Sequence, residues 1–125
     1  MAAPRGKGNY IVVVMATGCG ACEQFKKTWP QLKASLQNEF SGADIVEIVQ
    51  PRVTTEYTSG PRNLNKWGVW FPTLMVVPRD QWDTGFIKSA SVYNGTYNQT
   101  AGRVELTGNN PMTPVSVLMW ARSCL

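Results

Sequence analysis

From Tyr10 to Ala16 the chain is apolar on both alternating faces and rich in β-branched residues, and this run constrains the fold more than any other feature. A strand that hides both faces belongs in the middle of a sheet with cover on either side. Thr17-Gly18 breaks the run, and Cys19-Gly20-Ala21-Cys22 follows at once. From Cys22 the apolar residues Phe25, Trp29, Leu32 and Leu36 recur at spacings of three and four, which predicts one face of a helix. Two thiols therefore stand at a strand-to-helix junction, the address of a redox-active dithiol. Pro30 falls inside the helical pattern; it removes the hydrogen bond to the Lys26 carbonyl and predicts a kink.

Ser41-Gly42 closes this helix and Asp44 to Val49 reads as a second strand. Pro51-Arg52 opens a polar connection, with a short helical or irregular stretch to about Lys66. Leu74 to Val77 is a third strand, closed by Pro78. Arg79 to Gly85 reads as a turn and Phe86 to Ser91 as a fourth strand. Within the Asn/Gly/Thr-rich segment that follows, short strands are expected near Ser91 to Tyr93 and Arg103 to Leu106. Pro111-Met112-Thr113-Pro114 then primes a last helix from Thr113 to about Ser123, with Val117, Leu118, Trp120 and Ala121 available for burial. Asn94-Gly95-Thr96 and Asn98-Gln99-Thr100 fit a glycosylation pattern but read as turn residues. The sum is an α/β fold: one domain over residues 10–125, a central mixed sheet flanked by helices, behind a flexible lead at residues 1–9.

At 125 residues the chain has room for one core. Its longest apolar run falls far short of the ~20 residues a membrane span needs, so no membrane partner is expected. Twelve Lys and Arg against eight Asp and Glu give a net charge of +4, but they are scattered, which argues for solubility rather than nucleic-acid binding. No cleavage-like site follows the first apolar run, so a cytoplasmic, intracellular protein is expected. In a reducing compartment a close cysteine pair is more often catalytic, redox-sensing or metal-binding than a structural staple. The chain has no histidine, which removes Ser-His and Cys-His catalytic pairs. Its three cysteines cannot complete a four-ligand zinc site, so no metal is expected within one chain; a zinc or iron–sulfur site shared between chains stays open. Cys124 reads as a small apolar residue under the last helix.

Two blocks carry a family resemblance. Ile11 to Phe25 resembles the strand and active-site helix of the thioredoxin fold family, and Asn65-Lys66-Trp67-Gly68-Val69-Trp70-Phe71-Pro72-Thr73-Leu74 resembles the segment that brings that family's cis-proline to the dithiol. The chain departs from the family pattern at Gly18, where a tryptophan is usual, at Ala21, often a proline, and at Val13, usually a buried acid. These positions tune thiolate stability and so bear on potential and rate.

The resemblance implies a thioredoxin-like domain with no cofactor beyond a redox-active Cys19–Cys22 disulfide, exchanging with protein disulfides and recycled by a dithiol reductase or oxidase. Cys19 is the expected nucleophile, at a helix start where free N–H groups favour thiolate, and Cys22 the resolving thiol. Gly20 and Ala21 are small enough for a substrate backbone to approach. Pro72 is implied to be cis, with Trp70, Phe71 and Thr73 beside it in a substrate-binding segment; at least one of Trp67, Trp70 and Phe71 is expected to be plain core. With Val13 in the acid's place, Glu47 on the neighbouring strand is the candidate proton acceptor. The alternative from another class is a thioredoxin-fold binding or structural component of a larger assembly, such as a multi-subunit complex or a virus particle, with assembly partners and a dispensable dithiol.

Overall fold

The computed structural model describes residues 4–125; the first three residues of the expected lead lie outside that range. β1 (Asn9–Ala16) is buried throughout from Ile11 on. Ile11, Val13 and Met15 enter one core, Val12 and Val14 the other, as its two-sided apolar pattern requires. It pairs in parallel with β2 (Asp44–Gln50) and antiparallel with β3 (Thr73–Pro78). β4 (Ser91–Val92), β5 (Gly95–Asn98) and β6 (Arg103–Leu106) extend the sheet, in the order β2-β1-β3-β4-β5-β6.

One face carries α1 (Gly20–Lys26) and α2 (Trp29–Glu39), which drive Cys22, Phe25, Trp29, Leu32 and Leu36 onto Ile11 and Val13. The opposite face is covered by Leu64 from a single 3-10 turn (Leu64–Lys66), by Trp67 and Ile87, and by Trp82 of α3 (Arg79–Thr84). α4 (Pro114–Cys124) returns to the α1/α2 face and inserts Val117 and Ala121, while Leu118 and Trp120 are only partly buried. Arg122 of α4 clamps Glu39 at the end of α2 with two hydrogen bonds of 2.6 and 2.7 Å. The result is a single small α/β domain with a six-stranded mixed sheet, the coarse architecture expected.

Four expectations need correction. The kinked helix is instead two helices. α1 closes through the Lys27 and Thr28 N–H groups on Gln24 and Phe25 carbonyls, and α2 restarts with Pro30 in its first turn, where a missing N–H costs nothing. The expected turn at Arg79 to Gly85 is a short helix, ended by Gly85 in the left-handed conformation at φ 87°. Phe86 to Ala90 are not strand, because Asn63 takes both backbone groups of Ile87: its Nδ2 donates to the carbonyl and its Oδ1 accepts the N–H. The lead from Pro4 is folded. Gly42 N–H donates to the Arg5 carbonyl at 2.8 Å, Gly6 is buried, and Asn9 already belongs to β1.

The two glycosylation-like motifs are turn only in part, since Gly95, Thr96 and Asn98 belong to β5. Asn94, at φ 64°, reverses the chain between β4 and β5. Asn98 Oδ1 accepts the Thr100 and Ala101 N–H groups where the β5–β6 hairpin turns.

Candidate functional site

β1 ends at Ala16, and Gly18, at φ 79°, redirects the chain into α1 through a conformation that a side chain would resist. Cys19 is the N-cap. Its Sγ accepts the Cys22 N–H at 3.1 Å, so a donor of the first turn is aimed at the sulfur. One turn of helix brings the two cysteines together as a disulfide, with Cα atoms 5.2 Å apart. Cys22 is fully buried against the α1/α2 core, whereas Cys19 keeps 8% of its surface open.

Facing Cys19 is the Phe71–Pro72 peptide bond, which is cis. The Phe71 carbonyl oxygen lies 3.6 Å from Cys19 Sγ, within reach of a thiol proton when the pair is reduced. Gly20 and Ala21 are exposed, so nothing of their own side chains blocks approach to the sulfur. Thr73 is fully buried and its hydroxyl donates to the Trp70 carbonyl; it shapes the bend and presents nothing to a ligand. Trp67 is the plain core member of its aromatic trio, stacked on Tyr97 at 4.6 Å, while Trp70 and Phe71 remain half-exposed.

Glu47 stands beside Val13 on β2. Trp29 Nε1 donates to one of its oxygens and Lys33 Nζ to the other, at 3.0 Å. These two donors, the indole first, hold its carboxyl below the usual carboxylate range, and no hydrogen bond joins it to either cysteine. A carboxylate so engaged is a weak proton acceptor.

An open cavity of about 560 Å³ runs from Cys19 between two walls. Val69, Trp70 and Phe71 form the near wall; Val53, Thr54 and Thr55 form the far one. No charged residue lines it. Two residues that the sequence alone gave no reason to single out fasten the far wall. Gln50, 3% exposed at the end of β2, donates through Nε2 to the Thr54 and Glu56 carbonyls at 3.1 and 3.2 Å. Tyr57 Oη donates to the Gly68 carbonyl at 2.6 Å, and its ring lies 6.5 Å from that of Phe71. Burial pushes the Tyr57 hydroxyl well above the ordinary phenol range, so it stays a donor across all neutral conditions.

Among the described residues no cluster of three or more His, Cys, Asp and Glu side chains could hold a metal ion, and no helix is long and apolar enough to cross a membrane. Cys124 ends α4 half-buried and unpaired. Compared with protein-family models, curated proteins and solved structures, the chain matches none of them.

Proposed function

We propose that the chain is a thiol–disulfide oxidoreductase of thioredoxin-like fold whose Cys19/Cys22 pair exchanges with disulfides in other proteins. One observation carries the reading: a Cys-x-x-Cys pair capping a helix, with its outer sulfur 3.6 Å from the carbonyl before a cis-proline and at the end of an open groove. In the reductive direction the Cys19 thiolate attacks one sulfur of the substrate disulfide, forming a mixed disulfide and expelling the other substrate sulfur as a thiolate. Cys22, deprotonated, then attacks Cys19 Sγ, reforms the internal disulfide and releases the second substrate thiolate. Two electrons pass from the dithiol to the substrate, and oxidation of a substrate dithiol is the same sequence reversed. The Cys22 N–H donates to the attacking sulfur, and solvent takes the Cys22 proton, since Glu47 is occupied by Trp29 and Lys33.

Insulin reduction by the dithiothreitol-recycled protein tests this directly. Wild type turns over; Cys19→Ser loses the activity; Cys22→Ser accumulates a mixed disulfide at Cys19 that mass spectrometry detects. Wild type no faster than Cys19→Ser would refute the reading. The competing role, an assembly component, is favoured by α4, whose outward residues Val115 and Met119 are 70% and 63% exposed on a helix with Arg122 as its one charged residue. A fully inactive wild type together with self-association or co-assembly lost in Met119→Lys would favour that role.

A further inference from the structure

The far wall of the groove is made from a loop with no regular structure, yet it is pinned at both ends. Gln50 ties it from below by two hydrogen bonds to Thr54 and Glu56, and Tyr57 ties it sideways to Gly68, in the segment that leads to Trp70 and Phe71. A further bond within the loop, Glu56 N–H to Thr54 Oγ1 at 3.2 Å, stiffens the stretch between the pins. Buried Gln50 and half-buried Tyr57 spend their hydrogen bonds on loop carbonyls and fix the loop's position, since breaking these bonds would leave groups unpaired in a largely dry setting. The wall they fix presents Val53, 58% exposed, toward a cleft that contains no charge.

We infer that Gln50 and Tyr57 are positioning residues that hold Val53–Thr55 opposite Trp70 and Phe71, so that the groove selects an extended substrate segment with an uncharged, apolar side chain beside its disulfide cysteine. The inference rests on the oxidoreductase reading. Neither residue touches the sulfur chemistry; each acts through the wall. An apolar side chain lodged between Val53 and Trp70 loses water on both sides, whereas a carboxylate or ammonium there gives up hydration with no charged residue in the lining to replace it, the exposed Arg52–Glu56 pair flanking the wall outside that lining. A small disulfide that reaches Cys19 without occupying the cleft is indifferent to the wall.

The test is single-turnover reduction by pre-reduced protein, read as half-saturating concentration and limiting rate. The substrates are three disulfide-linked peptides that differ in one residue beside cysteine (Leu, Asp or Lys), and bis(hydroxyethyl) disulfide. Wild type should prefer the Leu peptide over both charged ones. Tyr57→Phe and Gln50→Leu should raise the half-saturating concentration for the Leu peptide by about fivefold, the value of a lost hydrogen bond or two, and shrink the preference, while its limiting rate and the small-disulfide rate stay within about twofold. Should Gln50→Leu not fold, Tyr57→Phe, which loses one oxygen, carries the test alone. An unchanged half-saturation and preference in Tyr57→Phe would overturn the inference, as would an equal loss on the small disulfide, which marks a structural defect. A wild type active on all four substrates without preference overturns the inference and leaves the oxidoreductase reading intact. A wild type inactive on all four removes both.

Discussion

Gly68→Ala measures the sideways pin without reference to any activity. A Cβ built on Gly68 would lie 2.6 Å from the Tyr57 hydroxyl, and that hydroxyl already holds the Gly68 carbonyl at 2.6 Å. The new methyl must push the phenol out of its hydrogen bond. Overpacking of this kind costs about 1–3 kcal/mol. Remove the hydroxyl first and the clash goes: in Tyr57→Phe the nearest atoms to the methyl are the ring Cζ at 3.4 Å and the Leu64 carbonyl at 3.7 Å, both ordinary contacts. The backbone of Gly68 is not left-handed, so Ala fits there and gains about 0.4–1 kcal/mol from a less flexible unfolded chain. Gly68→Ala should therefore destabilise the wild type but be neutral or stabilising in Tyr57→Phe, a coupling of about 1–3 kcal/mol. Urea unfolding at neutral pH of the four proteins, all oxidised, reads it as shifts in midpoint at constant slope. Costs that add to within about 0.5 kcal/mol would refute the packing of Tyr57 on Gly68, and with it the sideways pin.

Other outcomes follow from the same structure. Leu32→Ala, which empties a fully buried site between α2 and the sheet, should cost about 2–5 kcal/mol in the same unfolding assay. The Tyr57 hydroxyl titrates near its ordinary value of 10.0 when unfolded and well above it when folded. The unfolded chain therefore binds fewer protons in that window, and stability falls as pH rises past that value; Tyr57→Phe should flatten this alkaline slope. Glu47, held below its ordinary value of 4.5 by Trp29 and Lys33, behaves in the opposite sense: its contribution is present above that value and is lost as pH falls through the lowered one. Glu47→Gln should reduce the acid-side loss in a pH series of urea midpoints.

Much of the fold could be read from local pattern. β1 announced itself by being apolar on both faces, and β2, β3 and α4 by ordinary strand and helix-start signals, although Thr113, expected as the first helical residue, is the N-cap of α4. Apolar spacing carries straight across the break at Lys27 and Thr28 and hides it: Phe25 and Trp29 stack at 5.4 Å, so one helical face continues through two helices. Pro30 was the available clue, better read as the first turn of a new helix than as a kink. α3 had its own punctuation in Pro78 and Gly85, which frame a helix as well as a turn. The false strand at Phe86 to Ala90 could not have been excluded locally, since the Asn63 side chain that claims Ile87 lies 24 residues away in sequence. At the site, the cysteine pair was legible from residue type and spacing, and Pro72 only through the resemblance that the Asn65 to Leu74 segment carries. Gln50 and Tyr57 were not, because each gains its role only from a carbonyl brought to it by folding.

Disulfide exchange at Cys19 and Cys22 requires a dithiol that cycles, and the equilibrium between its two redox states is the most direct measure of that. Protein equilibrated in glutathione buffers, acid-quenched and alkylated, gives the fraction oxidised at Cys19 and Cys22 by mass. A single two-electron transition shared by both cysteines, at a potential between about −120 and −270 mV, is the result expected of a disulfide-exchanging pair. A pair that stays oxidised to below about −300 mV, or one that never closes while Cys124 reacts like any free thiol, would contradict it.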